Sequence, residues 1–211
     1  MSQARPGGRT ARTRTVVLEA VIDQLTETGY VGLSVDAVAR RAGVHKATLY
    51  RRWGTVDGLL LDALTLFADR SVAIPDTGTL DGDLRHIARS ALATLTDRAG
   101  QALIRAVVSA GHDDQVAQVI RAFWTRHNTM VASIVQRAAD RGELPAGTDP
   151  ADVSRAIGAP LYMRLLVTAE PLDTAAADQS AAAVAAAARA GVFARPAAHA
   201  AEPASRDFTG G

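Results

Sequence analysis

The chain has 211 residues, no cysteine and a formal net charge of +1. A chain of this length can bury a substantial core, as one large domain or two small ones. The lack of cysteine excludes disulfides, thiolate metal sites and a cysteine nucleophile. No apolar stretch reaches the length of a membrane span, and the amino-terminal residues lack the apolar region of a signal peptide. We therefore expect a cytoplasmic protein that does not contact a membrane.

The charge is unevenly distributed along the chain. Residues 1–53 carry nine Lys and Arg side chains against four Asp and Glu, a net charge of +5 that leaves −4 for the remainder. A basic amino-terminal part on an acidic remainder is typical of a protein whose head binds nucleic acid. Residues 1–12 lack an apolar period and are predicted to be a disordered basic arm, which either stays solvated or follows a DNA backbone. The cations of the basic arm are Arg5, Arg9 and Arg12, together with Arg14 just after residues 1–12.

Four helices are predicted in the amino-terminal third. Apolar residues recur at helical spacing over residues 14–28 and 56–71, which are predicted to be the first and fourth helices. Between them, the stretch from Ser34 to Trp53 has the pattern of two short helices joined by a tight turn. Ser34 is a suitable N-cap for the first of these, and Gly43 allows the left-handed backbone at which that helix ends.

The second short helix, from about His45 to Trp53, has two different faces. Leu49 and Trp53 lie on one side, and we expect both to be buried against the preceding helix. The other side carries a small residue, a hydroxyl, a phenol and cations, which suit base edges and phosphate oxygens. This face consists of Lys46, Ala47, Thr48, Tyr50 and Arg51, flanked by Arg52. The arrangement is that of a helix-turn-helix, whose second helix enters the major groove of duplex DNA.

The run GYVGLSVDAVARRAGVHKATLYRRWGTVDGLLLDAL resembles the DNA-binding domain of the tetracycline-repressor-like (TetR) transcriptional regulators. The shared pattern is a Gly-Tyr pair, a hydroxyl cap, an AGV turn and a TLYxxW recognition helix, and the resemblance covers about residues 13–66. It implies DNA contacts along the recognition helix and at the two caps. The residues predicted to make these contacts are Ser34, His45, Lys46, Ala47, Thr48, Tyr50, Arg51, Arg52 and Thr55.

One departure from the family pattern affects DNA binding. Family members usually carry Lys after the hydroxyl that opens the fourth helix, where it contacts a phosphate. Here the sequence is Thr55-Val56-Asp57, so the hydroxyl is kept and the cation is missing. Some affinity is therefore expected from elsewhere, such as the arginine-rich arm.

The resemblance also implies the function, which is sequence-specific control of transcription by a protein that is not an enzyme. It implies a repressor that leaves its operator when it binds a small hydrophobic ligand. In the family, the fourth helix connects the DNA-binding head to the body, so that movement of its far end changes the spacing of two heads. Two other classes stay open. The protein is alternatively a ligand-independent DNA-binding protein with a packed body, or a module whose helix-turn-helix binds protein.

The remainder of the chain is predicted to be a helical body. A break rich in turn-forming residues at 73–79 divides a DNA-binding domain, residues 13–72, from a regulatory and dimerisation domain, residues 73–194. Residues 195–211 are predicted to be a disordered tail. The body helices are predicted at about 80–98, 101–110, 115–141, 149–166 and 173–190, with a kink near Gly158 and Pro160 in the fourth. The fold class is therefore all-α with about nine helices.

The body is expected to form a homodimer and to hold an effector. A helix-turn-helix usually reads a palindromic operator as a two-fold dimer, and the last two helices are the candidates for its interface. The interface residues are predicted to be Leu161, Leu165, Val184 and Val192, unless they fill the core of one chain. His127 lies on the apolar stripe of the long helix, either as a core residue or as a polar anchor in a cavity. The predicted ligand-binding residues are Leu103, Val107, Trp124, His127, Met130, Tyr162 and Met163.

No catalytic group, cofactor or metal is expected. Three consecutive residues of a helix do not converge on one metal ion, so His112-Asp113-Asp114 is interpreted as the polar start of the long helix. The Gly7-Gly8 pair follows no strand and lacks the Gly-Lys-Ser/Thr ending of a phosphate-binding loop, so it is assigned to the arm.

Overall fold

The computed structural model describes residues 8–68, 74–110 and 114–195. This part of the chain forms nine α-helices and one π-helical turn, Arg164–Thr168. The helices are α1 (Gly8–Thr28), α2 (Val35–Ala42), α3 (Lys46–Trp53), α4 (Val56–Ala68), α5 (Leu80–Thr96), α6 (Arg98–Ala110), α7 (Asp114–Asp140), α8 (Pro150–Met163) and α9 (Thr174–Arg189). Within these residues, β-type pairing is limited to one isolated antiparallel bridge between Thr148 and Ala194. The predicted all-α fold with about nine helices is confirmed.

The amino-terminal helix is longer than the sequence pattern predicts. It begins at Gly8 instead of near Arg14, so residues 8–12, predicted as part of a disordered arm, are helical. Its first turns are tied to the head, because Arg52 donates a hydrogen bond to the Thr10 carbonyl (3.3 Å). The rest of the predicted arm, residues 1–7, lies outside the described residues.

The core of the head is continuous with the first part of the body. Buried residues of α1 to α4, among them Leu18, Leu49 and Leu60, share one apolar cluster with Ala102 and Leu103 of α6. The predicted domain boundary falls within residues 69–73, which are outside the described chain. The four helices of the head and α6 therefore share one core, and α4 belongs to it.

A second core holds α5, α7, α8 and α9 together. Its buried residues include Leu84, Ile134 and Ile157. The alanine-rich helix α9 packs closely enough for the buried Ser180 hydroxyl to donate to the Ile157 carbonyl of α8 (2.8 Å). Two ion pairs fix α9 along α5, between Arg89 and Asp178 (2.7 Å) and between Arg189 and Asp81. The small alanine side chains of α9 allow this close packing against α8, as the composition of α9 indicates.

Carboxylate caps determine where two body helices begin. Asp97 accepts hydrogen bonds from the amides of Ala99 (3.0 Å) and Gly100 (3.1 Å), so α6 begins at Arg98, three residues before the predicted start. Asp149 caps α8 and accepts hydrogen bonds from the amides of Ala151 (2.7 Å) and Asp152 (3.3 Å). A carboxylate at the start of a helix accepts hydrogen bonds from the amides of the first turn, which have no partner within the helix.

The carboxyl-terminal part of α8 contains Pro160, near which a kink is predicted. The helix continues through Gly158 and Pro160 to Met163, and the irregularity lies just beyond it as the π-helical turn Arg164–Thr168. Proline lacks an amide hydrogen, so one backbone hydrogen bond of this helix is missing. The end of the body also extends one residue further than predicted, because the Arg195 amide donates to the Gly147 carbonyl (3.0 Å). The predicted tail beyond it, residues 196–211, lies outside the described residues.

Candidate nucleic-acid interface and body cavities

The turn between α2 and α3 is fixed by local hydrogen bonds. The Ser34 hydroxyl accepts from the amide of Ala37 (3.2 Å) and caps α2. At the other end of α2, Gly43 has the left-handed φ of +64°, and the amide of Val44 donates back to the Ala39 carbonyl (3.0 Å). This pairing is a Schellman motif, which turns the chain sharply after a helix. The predicted cap and turn are therefore confirmed, and they set the angle at which α3 leaves α2.

Helix α3 presents a polar face to the outside. Leu49 is only 1% exposed and belongs to the head core, whereas Tyr50 is 54% exposed. Ala47 and Arg51 are also exposed, and Thr48 is half-buried beside them. A phenol and a guanidinium next to a small residue can reach phosphate oxygens and base edges at the same time. The packed side of the helix holds this face in one orientation.

The cations around this face differ in their contacts. Lys46 at the start of α3 forms an ion pair with Asp36 of α2 (2.5 Å). The Arg52 guanidinium lies over the ring of Trp53, 4.9 Å from its centre, so that side chain is folded against the head. His45 precedes α3 as an exposed N-cap residue whose side chain makes no capping bond within the described chain. Arg51 is the exposed cation beside Tyr50 and is the simplest candidate for a phosphate contact.

The start of α4 keeps its predicted hydroxyl cap. The Thr55 hydroxyl accepts from the amide of Gly58 (3.1 Å). Tyr30, from the loop after α1, donates its phenolic hydrogen to the Asp57 carboxylate in the first turn. Val56 stands where the family usually has a lysine, and its neighbour Asp57 is a carboxylate that is hydrogen-bonded within the head.

A hydrogen-bonded cluster under the recognition helix joins three helices. Asp62 of α4 accepts hydrogen bonds from two nitrogens of Arg14 of α1, a bifurcated one from Nε (3.0 and 3.2 Å) and one from Nη2 (2.5 Å). It also accepts one from the indole nitrogen of Trp53 in α3 (2.8 Å). Burial would raise the pKa of Asp62, but the bonds from Arg14 and Trp53 outweigh it and hold that pKa below its ordinary value. We call these three residues the Asp62 clasp.

The sequence pattern did not predict this clasp. Arg14 is predicted as part of the basic arm and Trp53 on the buried side of α3, whereas Trp53 is half-buried with its indole directed to α4. The partners are 48 and 9 residues from Asp62 in the sequence, and helical periodicity contains no information about such pairs.

Two neighbouring cavities lie in the body beside α4. The larger has a volume of about 650 Å³ and lies between α5, α7 and α8. The smaller, about 440 Å³, lies between α4, α6 and α7. Residues that line both include Phe67 of α4, the aromatic pair Phe123 and Trp124 of α7, and Tyr162 of α8. A molecule in either cavity would therefore contact the helix that carries Asp62.

Comparison with known proteins shows the family. Residues 17–70 match the family described as bacterial regulatory proteins, tetR family, and residues 74–184 match the tetracyclin repressor-like C-terminal domain. The chain belongs to the TetR family of transcriptional regulators. Members of this family are DNA-binding regulators without enzymatic activity, so this chain is a helix-turn-helix transcriptional regulator.

Individual TetR relatives agree with this assignment. The chain is 40% identical over 141 residues to the HTH-type transcriptional regulator AqdR of Rhodococcus erythropolis, which is 67% of this chain and 68% of that protein. It is 29% identical to the HTH-type regulator YdeS of Bacillus subtilis strain 168, over 82% of this chain and 88% of YdeS. A solved transcriptional regulator from Pseudomonas aeruginosa PAO1 has the same fold, with a TM-score of 0.71 at 18% identity over 90% of this chain and 95% of that one.

Most of the predicted ligand-binding residues of this TetR chain line a cavity. Trp124 and Tyr162 line both cavities, His127 and Met130 the larger one, and Leu103 and Val107 the smaller one. Met163 is exposed and lines neither, because it follows the buried Leu161 on the opposite side of α8. Burial lowers the pKa of His127, so its imidazole is neutral near pH 7.

For two of the predicted dimer residues, burial favours the alternative that they fill the core of one chain. Leu161 and Val184 are only 0% and 5% exposed in a single chain, so they fill its core and leave no side-chain surface for a partner. Leu165 is half-buried against a small core cluster, and Val192 is 67% exposed. The helical period identified the apolar residues of α8 and α9 but not which of their two apolar faces is turned inward.

Metal sites and membrane-spanning helices are not expected from the sequence. Within the described residues, no group of three or more His, Asp or Glu side chains is positioned to hold a metal ion. The same part of the chain contains no helix that is both long and apolar enough to cross a membrane. His112 and Asp113 lie between the described segments, and Asp114 begins α7.

Proposed function

We propose that this TetR regulator binds a palindromic operator through the exposed face of α3 and represses transcription until a small apolar effector occupies its body. The observation that carries the DNA contact is the contrast between Leu49, at 1% exposed, and its neighbour Tyr50, at 54%. A helix with one side packed and a phenol, hydroxyl and cation on the other matches the recognition helix of a helix-turn-helix.

The operator is proposed to be palindromic because one short helix makes few base contacts. Two copies related by a two-fold axis double those contacts and fix the separation of two half-sites. The outer faces of α8 and α9 support such a dimer. Together with the π-helical turn after α8, they carry small or apolar side chains that one chain leaves exposed, which are Ala159, Met163, Val167, Ala182, Ala183 and Ala186. We propose this face, rather than Leu161 and Val184, as the dimer interface.

The route from effector to DNA is proposed to pass along α4. Phe67, near the far end of this helix, lines both cavities, and Asp62 lies between Phe67 and the recognition helix. A ligand that prefers one position of α4 changes the placement of α3 through the Asp62 clasp. By linkage, the factor by which the ligand lowers the affinity for the operator equals the factor by which the operator lowers the affinity for the ligand. Two cavities of this size also favour an inducible regulator over a ligand-independent protein with a packed body.

Salt titration of a duplex enriched from a random pool tests the DNA contact. In the Arg51→Ala variant, operator affinity should fall, and the slope of log affinity against log salt should decrease by about one, because one phosphate contact is lost. Arg105→Ala, which removes an exposed arginine from α6 in the body, is the matched control and should leave both quantities unchanged. Equal effects of the two variants, or a salt-independent affinity, would contradict the proposed interface and favour a module that binds protein.

A further inference from the structure

One ion pair of the head lies at the recognition helix itself. Asp36, in the first turn of α2, pairs with Lys46, the first residue of α3 (2.5 Å). Both side chains are about half exposed, at 47% for Asp36 and 54% for Lys46. A recognition helix contacts base edges with its amino-terminal residues, while the preceding helix crosses the DNA backbone. In the proposed complex, a carboxylate therefore lies next to the DNA.

Other ion pairs of the head have a different position. Glu27 of α1 pairs with Arg41 at the end of α2 (2.5 Å). The hydrogen bond from Arg41 and, to a smaller extent, the charge of Arg98 in α6 hold the pKa of Glu27 below its ordinary value. The influence of Arg98 shows that this pair lies on the side of the head that faces the body. The pair of Asp62 and Arg14 lies under the recognition helix.

A lysine that is paired with a carboxylate distinguishes a phosphate from a base edge. A lysine without a counter-charge is attracted to any phosphate, whatever the DNA sequence. Beside Asp36 the charge of the Lys46 ammonium is cancelled, and the same carboxylate repels a phosphate oxygen. The ammonium has three hydrogens to donate, so it can keep one on the carboxylate and donate another to the neutral O6 or N7 of guanine. The pair therefore favours a base edge over the DNA backbone.

We propose that Asp36 is a specificity-determining residue, which positions Lys46 for a guanine in the major groove and opposes its binding to phosphates. This inference rests on the proposed function, since it concerns the same helix α3. It adds an acidic residue of α2 to an interface that the sequence predicts from cations, hydroxyls and a phenol. Specificity increases when a group disfavours the wrong partner more than it disfavours the right one.

Binding of two duplexes, one of random sequence and one selected by the wild type, tests the inference. Both dissociation constants are measured on the full chain at several salt concentrations. Asp36→Asn should strengthen binding to the random duplex at least about threefold and steepen its salt dependence by about one, because Lys46 gains a phosphate contact. Binding to the selected duplex should change by less than about twofold, because the contact of Lys46 with the base is kept. The ratio of the two affinities should therefore fall.

A matched control separates this effect from a general change of charge. Glu27→Gln also removes one carboxylate from an exposed ion pair of the head, but on the side that faces α6, and it should leave the ratio unchanged. Both variants should keep the melting temperature of the wild type, because exposed ion pairs contribute little to stability.

Variants of Lys46 show whether Asp36 acts through this lysine. In a Lys46→Ala background, Asp36→Asn should lose at least about half of its gain on the random duplex, since no ammonium is left to be released. Selection of duplexes with Lys46→Ala alone should lose the preference for guanine at one position of each half-site.

Several outcomes would overturn the role of Asp36. These are an unchanged affinity of Asp36→Asn for the random duplex, an equal gain on both duplexes, or the same change of the ratio in Glu27→Gln. An undiminished gain in the Lys46→Ala background would refute positioning, because the carboxylate would then act by itself, and an unaltered guanine preference would refute the base contact. If Arg51→Ala weakens salt-dependent binding while Asp36→Asn changes nothing, the inference is wrong and the DNA interface stands.

Discussion

Trp53 illustrates how much a single residue can be understood from its spacing. Its position four residues after Leu49 predicts the same helix face, and Leu49 is indeed buried. Trp53, however, ends α3 and donates its indole hydrogen to Asp62 while Arg52 covers its ring. Spacing predicted the side of the helix, but it could not predict a polar partner on α4 or the resulting partial exposure.

Replacing Trp53 tests this placement. Trp53→Ala should lower the free energy of unfolding by about 2–3 kcal/mol, less than the roughly 3–5 kcal/mol typical of a fully buried Trp, because the side chain is only half-buried. Trp53→Phe, which keeps a ring and removes the indole hydrogen bond, should lower it by about 1 kcal/mol. Chemical denaturation measures both. A change below about 0.5 kcal/mol in Trp53→Ala would contradict the packing of this side chain against the head.

At the level of helices, the sequence predicts elements better than their connections. The helices α2, α8 and α9 begin close to where the sequence predicts them, and each has a Ser or Asp N-cap, because capping is a local interaction. The start of α1 and the links among α1, α3 and α4 depend on side chains that are distant in sequence. The Asp62 clasp is such a link, and it sets the recognition helix against the helix that reaches the cavities.

A double-mutant cycle measures the clasp. Arg14→Gln and Asp62→Asn, alone and together, should give a coupling energy of about 1–2 kcal/mol in unfolding, because the pair is partly buried and doubly hydrogen-bonded. The matched control is the exposed pair of Arg98 and Asp23 (3.2 Å), which also joins α1 to another helix and should couple by less than about 0.5 kcal/mol. Equal coupling in the two cycles would refute a special role for Asp62.

The pH dependence of the clasp has a definite sign. The pKa of Asp62 lies below its ordinary value in the folded state, so its stabilising contribution is complete above the unfolded pKa, about 3.9. That contribution is lost as the pH falls through the lower, folded value. The stability difference between wild type and Asp62→Asn should therefore be constant from about pH 7 to about pH 5 and shrink on further acidification. A difference that grows at low pH would contradict the assigned bonds.

For the whole molecule, the fold followed from the sequence, and six of the seven predicted ligand-binding residues line a body cavity, but the sequence left open whether they fill a core and did not assign the apolar faces. An amphipathic helix that touches both its own core and a partner has two apolar faces, and one sequence cannot tell which is which. In α9 the buried face includes Ala177, Ala181 and Val184, and the exposed face includes Ala183 and Ala186. The second set belongs to the surface that we propose as the dimer interface.

A charge on this surface tests the dimer. Ala183→Glu should convert a dimer to a monomer in analytical ultracentrifugation and reduce operator affinity at least about tenfold, because two half-sites are no longer held together. The monomer should remain folded, since the side chain is exposed. Gln118→Glu adds the same charge at an exposed position of α7 and should leave the dimer intact. A dimer that persists in Ala183→Glu would place the interface elsewhere.

The most direct test of the central claim is selection of bound duplexes from a random pool with wild-type protein and with Tyr50→Ala. The wild type should enrich an inverted repeat whose half-sites are separated by about one helical turn or a multiple of it, as a two-fold dimer of recognition helices requires. Tyr50→Ala should bind that repeat at least about fivefold more weakly while keeping its melting temperature, because the phenol is exposed. No enriched sequence with the wild type, or equal binding of the repeat by both proteins, would contradict the assignment of α3 as the DNA-reading helix.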